Sequence, residues 1–192
     1  MTAIGDDLLS EARGYYGDGS AHGWEHARRV KGLAITIADH EGADKTVVSL
    51  GALLHDIGRK KESEGEVQDH AAWGAGETAK MLTECGYDDG TVEAVAHCVE
   101  AHRYSAGPEP ETKEASVVAD ADDIDAVGAV GIGRAFAHGG GFDGTAEHIR
   151  EKLLSLRDRM RTEAGREVAE DRHRFTEEFL RRFEREREPN DV

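Results

Sequence analysis

The sequence predicts an all-α fold, a single-domain helical bundle, on three observations. Apolar residues recur at three- and four-residue spacings along almost the whole chain. The strict alternation of a half-buried strand is nearly absent. Short stretches rich in Gly, Asp and Pro punctuate the periodic segments where helices must end.

The elements follow in order. A first helix is expected near Ala3–Tyr16, broken by Gly17-Asp18-Gly19-Ser20. A second, from about Gly23 to Asp39, places Val30, Leu33, Ala34 and Ile37 on one face. A third, from about Lys45 to Asp56, starts after Gly42-Ala43-Asp44 and carries Val47, Val48, Leu50, Leu53 and Leu54, with Gly58 just past its end. Glu62 to Asp69 reads as a charged loop, followed by helices at about His70–Cys85, Gly90–Arg103 and Lys113–Val127. Ala106-Gly107-Pro108-Glu109-Pro110 is a loop, because proline removes backbone donors and restricts its predecessor. A shorter helix over Gly128–Ala137 ends in Gly139-Gly140-Gly141. Thr145–Arg187 is a long helical region folded back once near Thr162–Gly165, with a stripe of Leu153, Leu156, Met160, Val168, Phe175, Phe179 and Phe183. The residues from Glu188 are expected to fray. The organisation is thus an N-terminal helix over 1–19, a core over 20–138 and a C-terminal helical extension over 139–192, packed on the core or pairing two subunits as a homodimer.

Composition narrows the function. The 192 residues are 38% hydrophobic and 33% charged, polar for a globular protein but able to form a core. The net charge of −16 repels phosphate backbones and anionic lipid, which speaks against general nucleic-acid or membrane binding. No run approaches the length of a membrane span, and Met1–Ser10 lacks the basic and apolar regions of a signal peptide, so a cytoplasmic location is expected. Seven lysines against seventeen arginines, abundant Asp and Glu and few aromatics resemble the composition of proteins from salt-loving organisms. Two cysteines, Cys85 and Cys98, make no disulfide framework and no metal-spaced pair. Phosphate-cradling glycine loops and a Gly-x-Ser-x-Gly nucleophile elbow are also missing.

Ten histidines are many for this length, and their placement carries the chemistry. His26 opens the second helix, His55-Asp56 closes the apolar third one, and Asp122 interrupts an otherwise buried pattern after Val117-Val118-Ala119. Imidazoles and carboxylates are natural ligands of a divalent cation, and a buried carboxylate is costly without a compensating cation. Four acids, Asp120, Asp122, Asp123 and Asp125, crowd this last segment, and both Ala119-Asp120 and Ala121-Asp122 fit a ligand following alanine.

The spaced His26, His55-Asp56 and Asp122 resemble the HD-domain metal-dependent phosphohydrolases, named for the His-Asp doublet. His102-Arg103-Tyr104-Ser105-Ala106-Gly107, the stretch Val118 to Arg134, and Glu151-Lys152-Leu153-Leu154 with Thr162 are similar to a subgroup of small stand-alone HD hydrolases, so the likeness runs from about Ser20 to Glu184. In that subgroup Asp123-Ile124-Asp125-Ala126 follow the last ligand, which favours Asp122, although relatives commonly carry Arg where this chain has Asp123. The resemblance implies an all-helical bundle with a metal at its centre and cleavage of a phosphate ester or anhydride, most often in a nucleotide.

The implied metal ligands are His26, His55, Asp56 and Asp122, a set open to Mn, Fe, Co, Ni, Zn or Mg as the divalent ion. Some relatives hold a second metal on histidines between the doublet and the last Asp, where His70, His97 and His102 lie. His97 and His102 are about 140° apart around a helix and do not share a face. The metal lowers the pKa of a water for attack and neutralises phosphoryl charge. Asp56 is also expected to orient that water, Lys60 or Arg59 to meet the leaving phosphate, and His102 to serve as general acid. Arg29, one turn after His26, joins Arg59 and His70 in holding a small phosphorylated substrate. Pyrophosphate release from a nucleoside triphosphate is the first expectation; a 5′-nucleotidase, a phosphodiesterase or a non-catalytic nucleotide-sensing module are the alternatives.

Overall fold

The structure is a computed structural model that describes residues 5–17, 22–103, 107–139 and 141–188. It is all-α: no strand occurs among the described residues, and no helix there is long and apolar enough to cross a membrane. The chain forms two compact units, residues 1–122 and 123–192.

The first unit holds α1 (Asp6–Gly14), α2 (Trp24–Glu41), α3 (Lys45–Leu54), α4 (Arg59–Ser63), α5 (His70–Glu84), α6 (Asp89–Ala101) and most of α7 (Lys113–Asp125). Its boundaries are written in the sequence. Asp44, Asp69 and Asp88 cap α3, α5 and α6 by accepting from backbone N–H groups at 2.7, 2.9 and 3.0 Å. Gly42, at φ 66°, ends α2 in the left-handed conformation that a side chain disfavours. α3 is apolar all round and its residues Val47–Leu54 are all buried, as befits a central helix. It packs on α2 and α6, and α5 packs on α6. Val30, Ile37, Leu50, Leu54, Ile57, Met81, Leu82, Val95 and Val99 fill the space between them.

Two expectations need adjustment here. α3 ends at Leu54, so His55 and Asp56 sit in the turn that leaves it. The charged run from Glu62 is not all loop, since α4 extends through Ser63. Five residues are too few to show a helical period in a sequence. The start of the first expected helix, residues 18–21, Tyr104-Ser105-Ala106, Gly140 and the end from Pro189 lie outside the described residues.

The second unit contains α8 (Gly128–His138), α9 (Phe142–His148) and α10 (Glu163–Arg187) around Val127, Ile132, Ile149, Leu153, Leu156 and Leu180. A widened π turn (Ile149–Leu153) followed by a tightened 3₁₀ turn (Leu154–Arg159) keeps Ile149, Leu153, Leu156 and Met160 buried. The break before α10 falls at Met160–Thr162, where Thr162 caps α10 through Gly165 N at 3.0 Å. The buried face of α10 is Gly165, Ala169, His173, Thr176 and Leu180, so the expected aromatic stripe runs beside it and Phe175 is exposed.

Candidate metal centre

The centre lies within the first unit. His55 is the residue after α3, where the last turn leaves backbone carbonyls without helical partners. Its Nδ1 lies 2.8 Å from the Ala52 carbonyl, and a carbonyl can only accept, so Nδ1 carries a proton and Nε2 is the nitrogen that faces the site. His102 repeats the arrangement after α6, with Nδ1 2.6 Å from Val99 O. His70 is the first residue of α5, and its Nδ1 donates instead to Glu62 Oε2 at 3.0 Å. His26 lies in the first turn of α2 and is buried.

These rings converge on Asp56, whose carboxylate is 1% exposed. Oδ2 faces His22 Nδ1 at 2.8 Å, His55 Nε2 at 3.4 Å and His26 Nε2 at 3.7 Å. Oδ1 faces Arg59 Nε at 3.2 Å, His70 Nε2 at 3.4 Å and His102 Nε2 at 3.6 Å. Asp122 Oδ1 completes the first side, 3.1 Å from His26 Nε2 and 3.7 Å from His55 Nε2. Asp120, two residues away on α7 and therefore about 200° around it, is buried outside these groups.

The electrostatics are those of a site built for a cation. Burial alone would disfavour a charged His55, yet Asp56 and Asp122 hold its pKa up to about 9. Burial pulls Asp56 upward, but His55, His102 and His22 hold it well below the usual carboxylate range. Asp122 is also pushed well below that range, since His26 and His55 outweigh its burial. Burial, with Arg59 alongside, lowers His70 to about 4, so that ring stays neutral. The half-buried Tyr16 is pushed well above the usual phenol value by desolvation of its hydroxyl and by Asp56, and that hydroxyl donates to Leu53 O at 2.7 Å. The donor chemistry fits a divalent metal: His26, His55 and Asp122 form one group with ligand atoms within 4.8 Å of one another, and His55, Asp56 and His102 form another.

The other candidates are spread more widely. Arg59 reaches Asp56, whereas Lys60 is exposed on α4. Arg29 is half-buried on α2, one turn beyond His26. His97 stands apart, accepting from Glu111 N at 3.0 Å. Asp123 lies 3.5 Å from Arg159 Nη1, within the second unit. Sequence reasoning missed His22 and Glu62. His22 had a signal, one helical turn before His26; Glu62 had none, being one acid in a charged run.

Residues 23–127, which hold His26, His55, Asp56 and Asp122, match the HD domain family. The chain belongs to the HD-domain family. As an HD-domain protein it is 35% identical over 181 residues to YpgQ of Bacillus subtilis, covering 88% of this chain and 86% of that one. The crystal structure of Bacillus subtilis YpgQ in complex with ADP superposes with a TM-score of 0.77 at 32% identity, over 97% of this chain and 99% of that chain. A predicted HD superfamily hydrolase from an uncultured Thermotogales bacterium superposes with a TM-score of 0.75 at 32% identity, over 94% and 91% of the two chains.

Proposed function

We propose that this HD-domain metal-dependent phosphohydrolase acts on a nucleotide and releases pyrophosphate from nucleoside triphosphates. The observation that carries the reading is the convergence of the buried His26, His55 and Asp56 with the half-buried Asp122. Likeness to YpgQ, whose crystal structure holds ADP, supports the nucleotide. His26, His55, Asp56 and Asp122 would hold one divalent cation, drawn from Mn, Fe, Co, Ni, Zn and Mg, and Asp56 Oδ1 with His70 and His102 offers donors for a second. When bound, such a cation supplies Lewis acidity, activating water and neutralising charge on phosphoryl oxygens.

The chain's own groups do the rest. The Nδ1 bonds to Ala52 and Val99 fix the ring orientations of His55 and His102 and keep Nε2 of each turned toward Asp56. Asp56, in the middle, orients the attacking water, whose oxygen bonds to the α-phosphorus as the α–β bridging bond breaks toward pyrophosphate. Arg59 leaves Asp56 Oδ1 for the substrate phosphates, with Lys60 and Arg29 as the further cations for them. With one cation bound and no second, His102 Nε2 faces the site and serves as general acid to the leaving group.

The test is to incubate the purified protein in high salt with Mn²⁺ and a panel of nucleotides, and identify the product. Pyrophosphate from triphosphates supports the reading; orthophosphate from monophosphates makes it a 5′-nucleotidase, and cleavage of cyclic substrates a phosphodiesterase. Cation bound with no release from any nucleotide overturns it in favour of a sensing module.

A further inference from the structure

Glu62 lies on α4, outside the donor set around Asp56, and four donors converge on its carboxylate. Oε2 accepts from His70 Nδ1 at 3.0 Å and from Arg59 Nη1 at 3.4 Å. Oε1 accepts from the His70 backbone N–H at 3.3 Å and lies 3.2 Å from Arg103 Nη1. The side chain is 21% exposed, well inside what a solvated charge run requires. Glu62, Asp69 and His70 gather ligand atoms within 4.8 Å, but Arg103 stands 3.2 and 3.3 Å from the two acids and Arg59 3.4 Å from Glu62, so two guanidinium cations already face these carboxylates.

The position of His70 explains why a side chain is needed. His55 and His102 follow helix C-termini, where spare carbonyls accept their Nδ1 protons. His70 starts a helix, where the spare backbone groups are N–H donors and cannot accept a proton. We propose that Glu62 is a positioning residue of the phosphohydrolase, supplying from α4 the acceptor that fixes the His70 tautomer and turns its Nε2 lone pair toward Asp56 and His102. Glu62 Oε2 lies 3.0 Å from Nδ1, closer than the 3.4 Å that separates Asp56 Oδ1 from Nε2, so the nearer acceptor holds the ring proton on Nδ1. The Glu62 carboxylate also gathers Arg59 and Arg103 beside the same ring. This inference rests on the reading of His70 as a donor in the phosphohydrolase centre.

The experiment compares the full wild-type chain with Glu62→Ala, Glu62→Asp and Glu62→Gln. The His70 tautomer is read from ¹H–¹⁵N couplings of the metal-stripped protein near neutral pH, alongside Mn²⁺ affinity and turnover. Wild type is expected to show His70 with the proton on Nδ1. Glu62→Ala should populate the Nε2–H form, weaken Mn²⁺ binding and lower kcat by roughly 10–100-fold, the usual cost of losing an orienting partner. Glu62→Asp keeps the charge for the arginines but shortens the reach, and should shift the tautomer too if the alanine variant does not fold. Glu62→Gln retains an acceptor oxygen and should restore the Nδ1–H form and most of the turnover. A folded Glu62→Ala or Glu62→Asp protein whose His70 stays wholly Nδ1–H overturns the proposal, as does turnover that falls only in step with Tm. A tautomer shift in a protein whose wild type cleaves no nucleotide leaves Glu62 as the His70 anchor and overturns the substrate reading instead.

Discussion

Asp56 joins the two halves of the centre because each of its oxygens faces a different set of imidazoles, Oδ2 toward His22, His26 and His55 and Oδ1 toward His70 and His102. The choice between the neighbouring acids of α7 is decided by angle rather than by composition. Asp122 points at His26 and His55, and Asp120 stands on the opposite side of the helix. Asp122→Asn should therefore lose bound metal and at least about 100-fold of turnover, a ligand mattering no less than its orienting partners. Asp120→Asn should keep the metal content of wild type by elemental analysis; a variant that loses it would make Asp120 the ligand. The His-Asp doublet and His26 were legible in the sequence because they stand at helix ends beside apolar runs. His22 was not, since only the fold turns it back onto Asp56, and Glu62 was hidden among like charges.

Cys98 offers a second check at the scale of one residue. It is wholly buried on α6 against Gly51 of α3, and burial, with Glu114 adding to it, pushes its thiol up to about 12. Cys85, at the end of α5, is exposed. One thiol per chain should react quickly with an aromatic disulfide reagent near pH 8, and the second only after unfolding. Two fast thiols would show that α6 opens readily. The sign of the pH effect follows: the unfolded thiol ionises above about 8.5, the folded one only near 12, so this contribution to stability is complete below the former and is lost as pH climbs toward the latter.

Between elements, the joint of α3, α4 and α5 sets the relation of the doublet to His70. Gly58 has ordinary right-handed backbone angles, so its lack of a side chain is needed for space and not for conformation. A Cβ there would stand 2.4 Å from the His70 carbonyl oxygen and 3.0 Å from its Cα, and backbone cannot swing aside as a flexible side chain can. Gly58→Ala should cost about 1–3 kcal/mol, the usual penalty of overpacking, and push the start of α5 away from Asp56. Urea unfolding together with Mn²⁺ titration measures both effects; unchanged values in both would mean that the joint yields without consequence. The sequence announced α2, α3, α5 and α6 through their apolar period. It concealed α4, too short for a period, and the π and 3₁₀ turns before α10, where the buried residues keep nearly helical spacing while the backbone hydrogen bonds change. Gly58 showed only as a helix stop, because its second role depends on a residue twelve positions away.

For the whole molecule, the net charge of −16, carried by 40 acids against 24 basic residues, acts on stability from outside the core. Many of the basic residues are paired at the surface, as in Arg28–Glu25, Arg174–Asp171, Arg182–Glu186 and Lys61–Glu66. Exposed pairs of this kind contribute about 0–1 kcal/mol each, and salt weakens them. Self-repulsion of the excess acids is weakened by the same salt, so the two effects oppose each other and the direction of the balance is measurable. Raising KCl from 0.1 to 1 M shortens the screening length from about 10 to about 3 Å, which removes repulsion between acids spaced across the surface while leaving contact pairs partly intact. The excess of acids makes repulsion the larger quantity, and Tm should rise with KCl; each 1 kcal/mol gained corresponds to about 2–4 °C for a chain of this size. NaCl should give the same rise at equal ionic strength, because screening depends on charge and not on the identity of the ion. A Tm that falls with either salt would show that the surface pairs, and not the repulsion, govern the stability of this acidic fold.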